Sequence, residues 1–342
     1  MISDPGVSKP SSVRPRAKSL TNSVQESDCQ DDSVPGRMED FSVDVGSSRM
    51  ESEDQVPGRR PGDENASEEA DEKETELPVY RVLESKLINV RMGEDSNPCD
   101  ITGICAIPGG ALVIVDFENC RLKLLDKMFK MVSSLELPQY PRSVCAFGDK
   151  EVAVVVSGGE KQEVHFINVQ HDKLAKRSVL ALSNQCCTLA FDGQNLYIGS
   201  VNSVYVYSKS GRFEKELIQS EEYIINCVSV HKDCSFLCVT DLYNDCLYVF
   251  DKKNGSLLSK CDHADIIMPT WVSIVRSNTA FVCGKKGHLV VQLDITKSEV
   301  VNTIASEKEG VSHPNCLCFD DTTQRLAIGQ WSDNILILKL GL

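Results

Sequence analysis

One feature of this chain constrains its fold more than any other: a short apolar pattern that returns six times. It reads Leu112-Val-Ile-Val115, Val152-Ala-Val-Val155, Leu196-Tyr-Ile-Gly199, Leu237-Cys-Val-Thr240, Phe281-Val-Cys-Gly284 and Leu326-Ala-Ile-Gly329, and its first residues step by 40, 44, 41, 44 and 45. A second pattern follows each copy: Leu122-Lys-Leu-Leu125, Val164-His-Phe-Ile167, Val204-Tyr-Val-Tyr207, Leu247-Tyr-Val-Phe250, Leu289-Val-Val-Gln292 and Ile335-Leu-Ile-Leu338, with steps of 42, 40, 43, 42 and 46. Two independent markers therefore count the same six units, and a period of this size signals a repeat architecture.

Each unit has the same internal order. An apolar run comes first (Ile101 to Ile107, Val144 to Phe147, Cys187 to Phe191, Ile225 to Val230, Trp271 to Val275, Cys316 to Phe319), then a polar turn such as Pro108-Gly109-Gly110 or Asp192-Gly193-Gln194-Asn195, then the two patterns above. Short apolar runs bounded by Gly, Asn and Asp are strands. A fourth strand closes most units, at Met131 to Leu137, Ser178 to Leu182, Glu214 to Ile218, Ser256 to Lys260 and Glu299 to Ile304. Four strands in about 43 residues make one propeller blade, so the expected fold is all-β, a six-bladed β-propeller over 79–342. The sixth unit has no room for a fourth strand, whereas Lys86-Leu-Ile-Asn-Val90 stands unassigned before the first unit. Pairing the two would close the ring and cover an edge that otherwise invites aggregation.

Residues 1–78 differ in kind. They hold 9 Lys and Arg against 19 Asp and Glu, the remaining residues 27 against 31, so most of the net charge of −14 sits in this leader. It is rich in Ser, Glu, Asp, Pro and Gly, with Phe41 as its single aromatic residue. Too little apolar surface is available there to offset roughly 1 to 2 kcal/mol of backbone ordering per residue, and a disordered tail is expected. Cys29 is its one cysteine and it has no histidine, so no zinc finger can form in it.

No apolar run approaches the roughly 20 residues that span a bilayer, and the first residues have neither a secretory nor a transit-peptide pattern. A cytoplasmic, membrane-free protein is expected. The 15 cysteines lie mostly inside apolar runs, which reads as reduced and buried rather than as a disulfide framework.

Leu112-Val-Ile-Val-Asp116-Phe-Glu-Asn119-Cys-Arg121-Leu-Lys-Leu-Leu-Asp126 and Leu237-Cys-Val-Thr-Asp241-Leu-Tyr-Asn244-Asp-Cys-Leu-Tyr-Val-Phe-Asp251 resemble the NHL repeat: strand, Asp, Asn, a basic residue, second strand. The stretch 79–342 is similar to the carboxy-terminal propeller of the tripartite-motif NHL proteins. Blade four lacks the basic residue; blades two, three, five and six keep the strand pair without the Asp and Asn, blade six offering Gln330-Trp331-Ser332-Asp333-Asn334. The resemblance implies a propeller that holds a protein or, in some members, RNA. RING, B-box and coiled-coil modules, which carry ubiquitin ligase activity in that family, have no counterpart here; an adaptor or substrate-recognition role in ubiquitin-related pathways is what the resemblance leaves.

Catalytic signatures are thin. There is no Gly-x-Ser-x-Gly elbow, phosphate loop or His-Glu-x-x-His, and Ser157-Gly-Gly-Glu-Lys161 reads as a loop between strands. His231, Cys234, Cys238 and Cys246 have zinc-like types, but a strand rises about 3.3 Å per residue and puts Cys234 and Cys246 at opposite ends of a blade. No metal, cofactor or catalytic residue is assigned, and a lactonase-like hydrolase is the third reading. Recognition is expected on the face formed by the loops that join second to third strands and lead into each first strand, because loops on a rigid scaffold carry binding. Tyr140, Arg142, Tyr243, Asn244, Lys285, Lys286, His288 and Trp331 are the expected partner-binding residues, with Phe117, Glu118, Tyr223, Asp245, His313 and Asp333 beside them. Tyr, Trp and Arg are common interface anchors; for Asn244 and Asp116 the competing reading is a side chain that bonds its own turn. Residues 79–342 carry net charge −4, whereas binding through nucleic-acid phosphates calls for a basic face. A protein partner is the first expectation, with the chain a monomer or assembled through that partner, and an RNA-binding regulator is the alternative.

Overall fold

The computed structural model describes residues 77–158 and 161–342; the acidic leader expected over 1–78 lies outside the described residues except for its last two. The described residues form 24 strands and a single 3-10 turn at Glu307–Glu309, with no α-helix among them. Strand β1 (Arg81–Asn89) comes first. Blade one is β2 (Ile101–Ile107), β3 (Ala111–Asp116), β4 (Arg121–Leu125) and β5 (Met131–Glu136); blade two is β6 (Tyr140–Gly148), β7 (Glu151–Gly158), β8 (Lys161–Gln170) and β9 (Lys173–Leu182). Blade three is β10 (Thr188–Phe191), β11 (Asn195–Gly199), β12 (Ser203–Ser208) and β13 (Phe213–Gln219); blade four is β14 (Ile225–Val230), β15 (Phe236–Asp241), β16 (Cys246–Asp251) and β17 (Leu257–Asp262). Blade five is β18 (Pro269–Arg276), β19 (Thr279–Gly284), β20 (Leu289–Asp294) and β21 (Glu299–Ala305). Blade six is β22 (Pro314–Asp320), β23 (Arg325–Gln330) and β24 (Asn334–Gly341), and β1 supplies its fourth strand.

The closing pair is antiparallel, running from Arg81 opposite Gly341 to Asn89 opposite Asn334, with a bulge between Val82 and Glu84. Sequence reading placed this strand at 86–90; it begins five residues earlier. All but one of the nine side chains of β1 escape burial, Ile88 being the exception, so the pairing leaves little apolar periodicity to read.

The core lies between blades. Six apolar clusters fill the six junctions in turn, and the one joining blade six to blade one (Ile101, Ile104, Cys316, Ala327, Ile335 with Ile88) is built like the others. Second strands such as β19, buried at every residue, are packed on both faces, which is why they read as unbroken apolar runs. Fourth strands such as β9 and β17 are mainly exposed and gave the weakest signals. Gly329 marks how closely blades approach: a Cβ there would lie 2.7 Å from the Ile101 Cγ2 of the next blade and 3.1 Å from its carbonyl.

All 14 described cysteines are unpaired and ten are buried. Burial raises thiols such as Cys145 and Cys227, each to about 12, which makes them poor nucleophiles. Cys234 and Cys238 share the cluster between blades four and five, whereas Cys246 belongs to the one between three and four. No helix among the described residues is long and apolar enough to cross a membrane.

Candidate functional site: the channel mouth

Inner strands of five blades slip register at the same place, just after they begin. The residues left over are Thr102, Arg142, Asn226, Thr270 and Asn315. A bulge of this kind re-aims a side chain and often stands at a functional site. In blade three Cys187, immediately before β10, takes the corresponding position. All six residues line one cavity of about 280 Å³ at the mouth of the central channel. Asp100 and Lys285 also line it, and Phe117, Leu242, Met268 and Trp271 give it apolar walls.

Five of the six ring residues bond the neighbouring blade. Thr102 Oγ1 donates to the Pro141 carbonyl (3.5 Å), Asn226 Nδ2 to that of Thr270 (2.5 Å) and Thr270 Oγ1 to that of Pro314 (2.8 Å). Cys187 Sγ reaches the Ile225 carbonyl at 3.5 Å, and Asn315 Nδ2 donates to Asp100 Oδ1 at 2.7 Å. Arg142 departs from the pattern. Its Nε donates within its own blade to Ser157 Oγ at 2.7 Å, and its guanidinium lies 5.5 Å from the centre of the Phe117 ring, which in turn stacks on Tyr140 at 5.0 Å.

Asp100 is the carboxylate of the pocket. Burial lifts its pKa to about 6, against the pull of Lys285 and the Asn315 hydrogen bond and with the help of Glu118 and Asp116. A carboxyl held above its unfolded value weakens the fold once it ionises, so the cost is absent in acid and present above pH 6. Asp100→Asn keeps the acceptor for Asn315 and is expected to add about 1 kcal/mol at pH 8, a gain that fades below pH 5. Thermal unfolding across that range checks it; a gain independent of pH would refute the assignment.

Most of the residues expected at the interface stand around this mouth. Lys285 Nζ lies 5.7 Å from the centre of the Trp331 ring. His288 packs edge-on against His313 and accepts a hydrogen bond from its backbone N–H. Tyr243 and Trp331 are 70% and 63% exposed, and Lys286 is exposed. Asn244 is instead part of the scaffold: its Nδ2 donates to Asp241 Oδ2 (2.8 Å) and the Glu222 carbonyl (3.2 Å). Asn119 does the same in blade one, between Asp116 Oδ2 (2.9 Å) and the Asn97 carbonyl (3.1 Å). The Asp and Asn of the repeat thus tie the turn after a second strand to the segment entering that blade. In blade six Gln330 takes part of this role by accepting from Ser312 N. Asp333 is structural too, accepting from Cys99 N (2.9 Å) and pairing with Arg91 (3.0 Å).

Sequence reasoning missed Asp100, Thr102, Asn226, Thr270 and Asn315. Four of the six inner strands have at their head a polar residue between apolar or glycine neighbours, as in Ile101-Thr102-Gly103, Ile225-Asn226-Cys227, Pro269-Thr270-Trp271 and Pro314-Asn315-Cys316, but that pattern does not reveal the bulge that turns the residue to the axis.

Near the mouth is a second polar cluster. Among the described residues, Asp95, Cys99 and Asp116 form the group whose donor atoms converge closely enough for a metal, but the convergence point holds the Lys123 ammonium. Lys123 Nζ donates to Asp95 Oδ2 (2.6 Å), Asp116 Oδ2 (2.7 Å) and the Val90 carbonyl (2.9 Å), with Cys99 Sγ at 3.4 Å. Burial alone disfavours this cation; the bonds to Asp116 and Asp95 outweigh it and raise its pKa. The cluster serves as an internal ion pair.

No protein-family model and no curated protein matches the chain. Its fold is widespread, since 1341 chains of solved structures match, and so fold alone selects no function. One is from the crystal structure of a nidogen/laminin complex: TM-score 0.54 at 14% identity, over 64% of this chain and 84% of that one. At that identity the likeness shows the six-bladed propeller architecture and nothing finer.

Proposed function

We propose that this chain is a non-catalytic interaction module that holds a protein partner on the channel-mouth face of an NHL-like propeller. The observation that carries the reading is the pairing of two highly exposed aromatic residues, Tyr243 and Trp331, with a built polar pocket on one face. Exposed aromatic anchors around a recess are the usual energetic centre of a protein interface. The similar solved propeller comes from a structure titled as a complex of two proteins, which supports the reading at the level of fold. Membership of the tripartite-motif NHL branch, an adaptor role near ubiquitin ligases and a cytoplasmic setting belong to the same proposal and rest on the sequence resemblance.

Affinity capture with the full chain tests it. Tyr243→Ala with Trp331→Ala is expected to lower recovery of the bound proteins by about tenfold or more, while Met128→Ser, at a residue 71% exposed on the opposite face, leaves recovery unchanged. Equal loss in both variants, or none in either, refutes the face. Lys285 and Lys286 beside Trp331 favour RNA as the second reading; salt-sensitive crosslinking to RNA that vanishes on Lys285→Glu with Lys286→Glu would replace the first.

A further inference from the structure

The exceptional member of the hub ring points to what the partner brings. At five positions the ring side chain is spent on the neighbouring blade; at the sixth stands Arg142, the one charged side chain of the six. Ser157 holds its Nε and Phe117 its face, while its terminal nitrogens have no hydrogen-bond partner among the described residues. A guanidinium fixed on two sides with open donors is prepared for a planar, two-oxygen anion. Lys285 belongs to blade five, opposite blade two in a ring of six, and lines the same cavity. It too has no ion pair among the described residues; the Trp331 ring lies beside it, and Asp100 in the same cavity feels its charge.

We infer that the channel mouth is a receptor for a carboxylate side chain, an aspartate or glutamate of the protein partner, seated between Arg142 and Lys285. The inference rests on the protein-binding reading and gives it a chemistry. The one carboxylate lining the pocket, Asp100, is engaged by Asn315 Nδ2 at 2.7 Å. Near 280 Å³ the cavity is at the lower end of ligand sites and suits one side chain better than a cofactor. The fork of Arg142 decides between a carboxylate and a nucleic-acid backbone, because its open donors match the two coplanar oxygens of a carboxylate. Glu118, Glu221, Glu222, Asp245 and Asp265 stand on loops of this face and repel any polyanion, peptide and nucleic acid alike.

The probe is a labelled hexaglutamate peptide, titrated against the full chain by fluorescence anisotropy beside hexaglutamine and a hexauridine RNA. Hexaglutamate is expected to bind at least tenfold more tightly than either. Arg142→Gln is expected to weaken it about tenfold, and Lys285→Gln by severalfold. Lys286→Gln removes the same charge outside the cavity and is expected to change binding less than twofold. Equal losses for Arg142→Gln and Lys286→Gln would reduce the effect to net charge and overturn the site; tighter hexauridine binding would overturn the ligand class. Should Arg142→Gln lower the melting temperature, Lys285→Gln against Lys286→Gln carries the test. If partner capture needs Tyr243 and Trp331 but is indifferent to Arg142→Gln, the carboxylate seat fails and the protein-binding face stands. If hexaglutamate binds as described while capture ignores the aromatic rim, the rim assignment fails and the anion site stands.

Discussion

Removal of residues 77–90 is expected to abolish the single cooperative unfolding transition of the propeller. Eight register positions of β24 lose their partner, and that strand is the last of blade six, so the ring opens at its seam. The loss goes beyond an edge. Tyr80 is fully buried, edge-on to Phe281 at 5.1 Å and to Phe319 at 5.7 Å, its N–H donating to Gln292 and its carbonyl accepting from Asn302. Its ring is a plug between blades five and six. Replacing a buried aromatic ring by a methyl group costs about 3 to 5 kcal/mol, so Tyr80→Ala alone is expected to lower the melting temperature by about 10 °C. The deletion adds an exposed strand edge, which favours intermolecular pairing, and self-association is expected in sedimentation velocity. Adding a synthetic peptide of residues 77–90 should restore the monomer and its transition. A truncated chain that melts as the intact one does would show that β1 is decoration and that the ring is closed by contacts within blade six.

The seam and the mouth differ in how far the sequence betrayed them, and burial explains the difference. Second and third strands are packed on both sides, so Val152 to Val156 or Leu336 to Leu338 could be read straight from composition. Fourth strands have one wet face; β9 starts at Lys173 although apolar residues locate it from 178 onward, and β1 was placed by elimination from a missing partner. Of the residues proposed for the interface, Trp331 and Tyr243 were legible as large aromatic residues in loops, and Lys285-Lys286 as a basic pair in an acidic chain. Those that were not are ordinary residues in an extraordinary position. Thr102, Asn226, Thr270 and Asn315 acquire meaning only because a bulge turns each toward one axis, and bulges depend on pairing register across two strands rather than on any local pattern. Arg142 was named as a surface anchor, yet its distinction, being the ring member that does not bond the next blade, is visible only when all six are seen together. For Asn244 the sequence offered both recognition and a side chain bonding its own turn, and the Nδ2 contacts to Asp241 and the Glu222 carbonyl match the second.

Lys123→Met is expected to cost about 3 to 5 kcal/mol, because removing one partner of a buried ion pair leaves uncompensated charge in a medium that solvates it poorly. The side chains of Lys123, Asp95 and Asp116 are all fully buried; without the ammonium, two carboxylates face each other across the space it held. Arg121, with its Nε 3.6 Å from Asp95, relieves only one of them. Combining Lys123→Met with Asp95→Asn removes one charge of each sign and should recover a good part of the loss, whereas additive costs in the double variant would show that the three groups do not act as a unit. The consequence extends to binding. Val90, Asp95 and Cys99, which surround the ammonium, all belong to the segment that carries the chain from β1 over the face to β2. Asp100 is the next residue, and it lines the pocket. Lys123 is therefore the clamp through which blade one fixes one wall of the channel mouth, although it never touches a ligand there. Hexaglutamate affinity should fall in Lys123→Met under conditions where circular dichroism shows the sheets intact, and return with Asp95→Asn; an affinity that follows only the fraction of folded protein would confine Lys123 to stability.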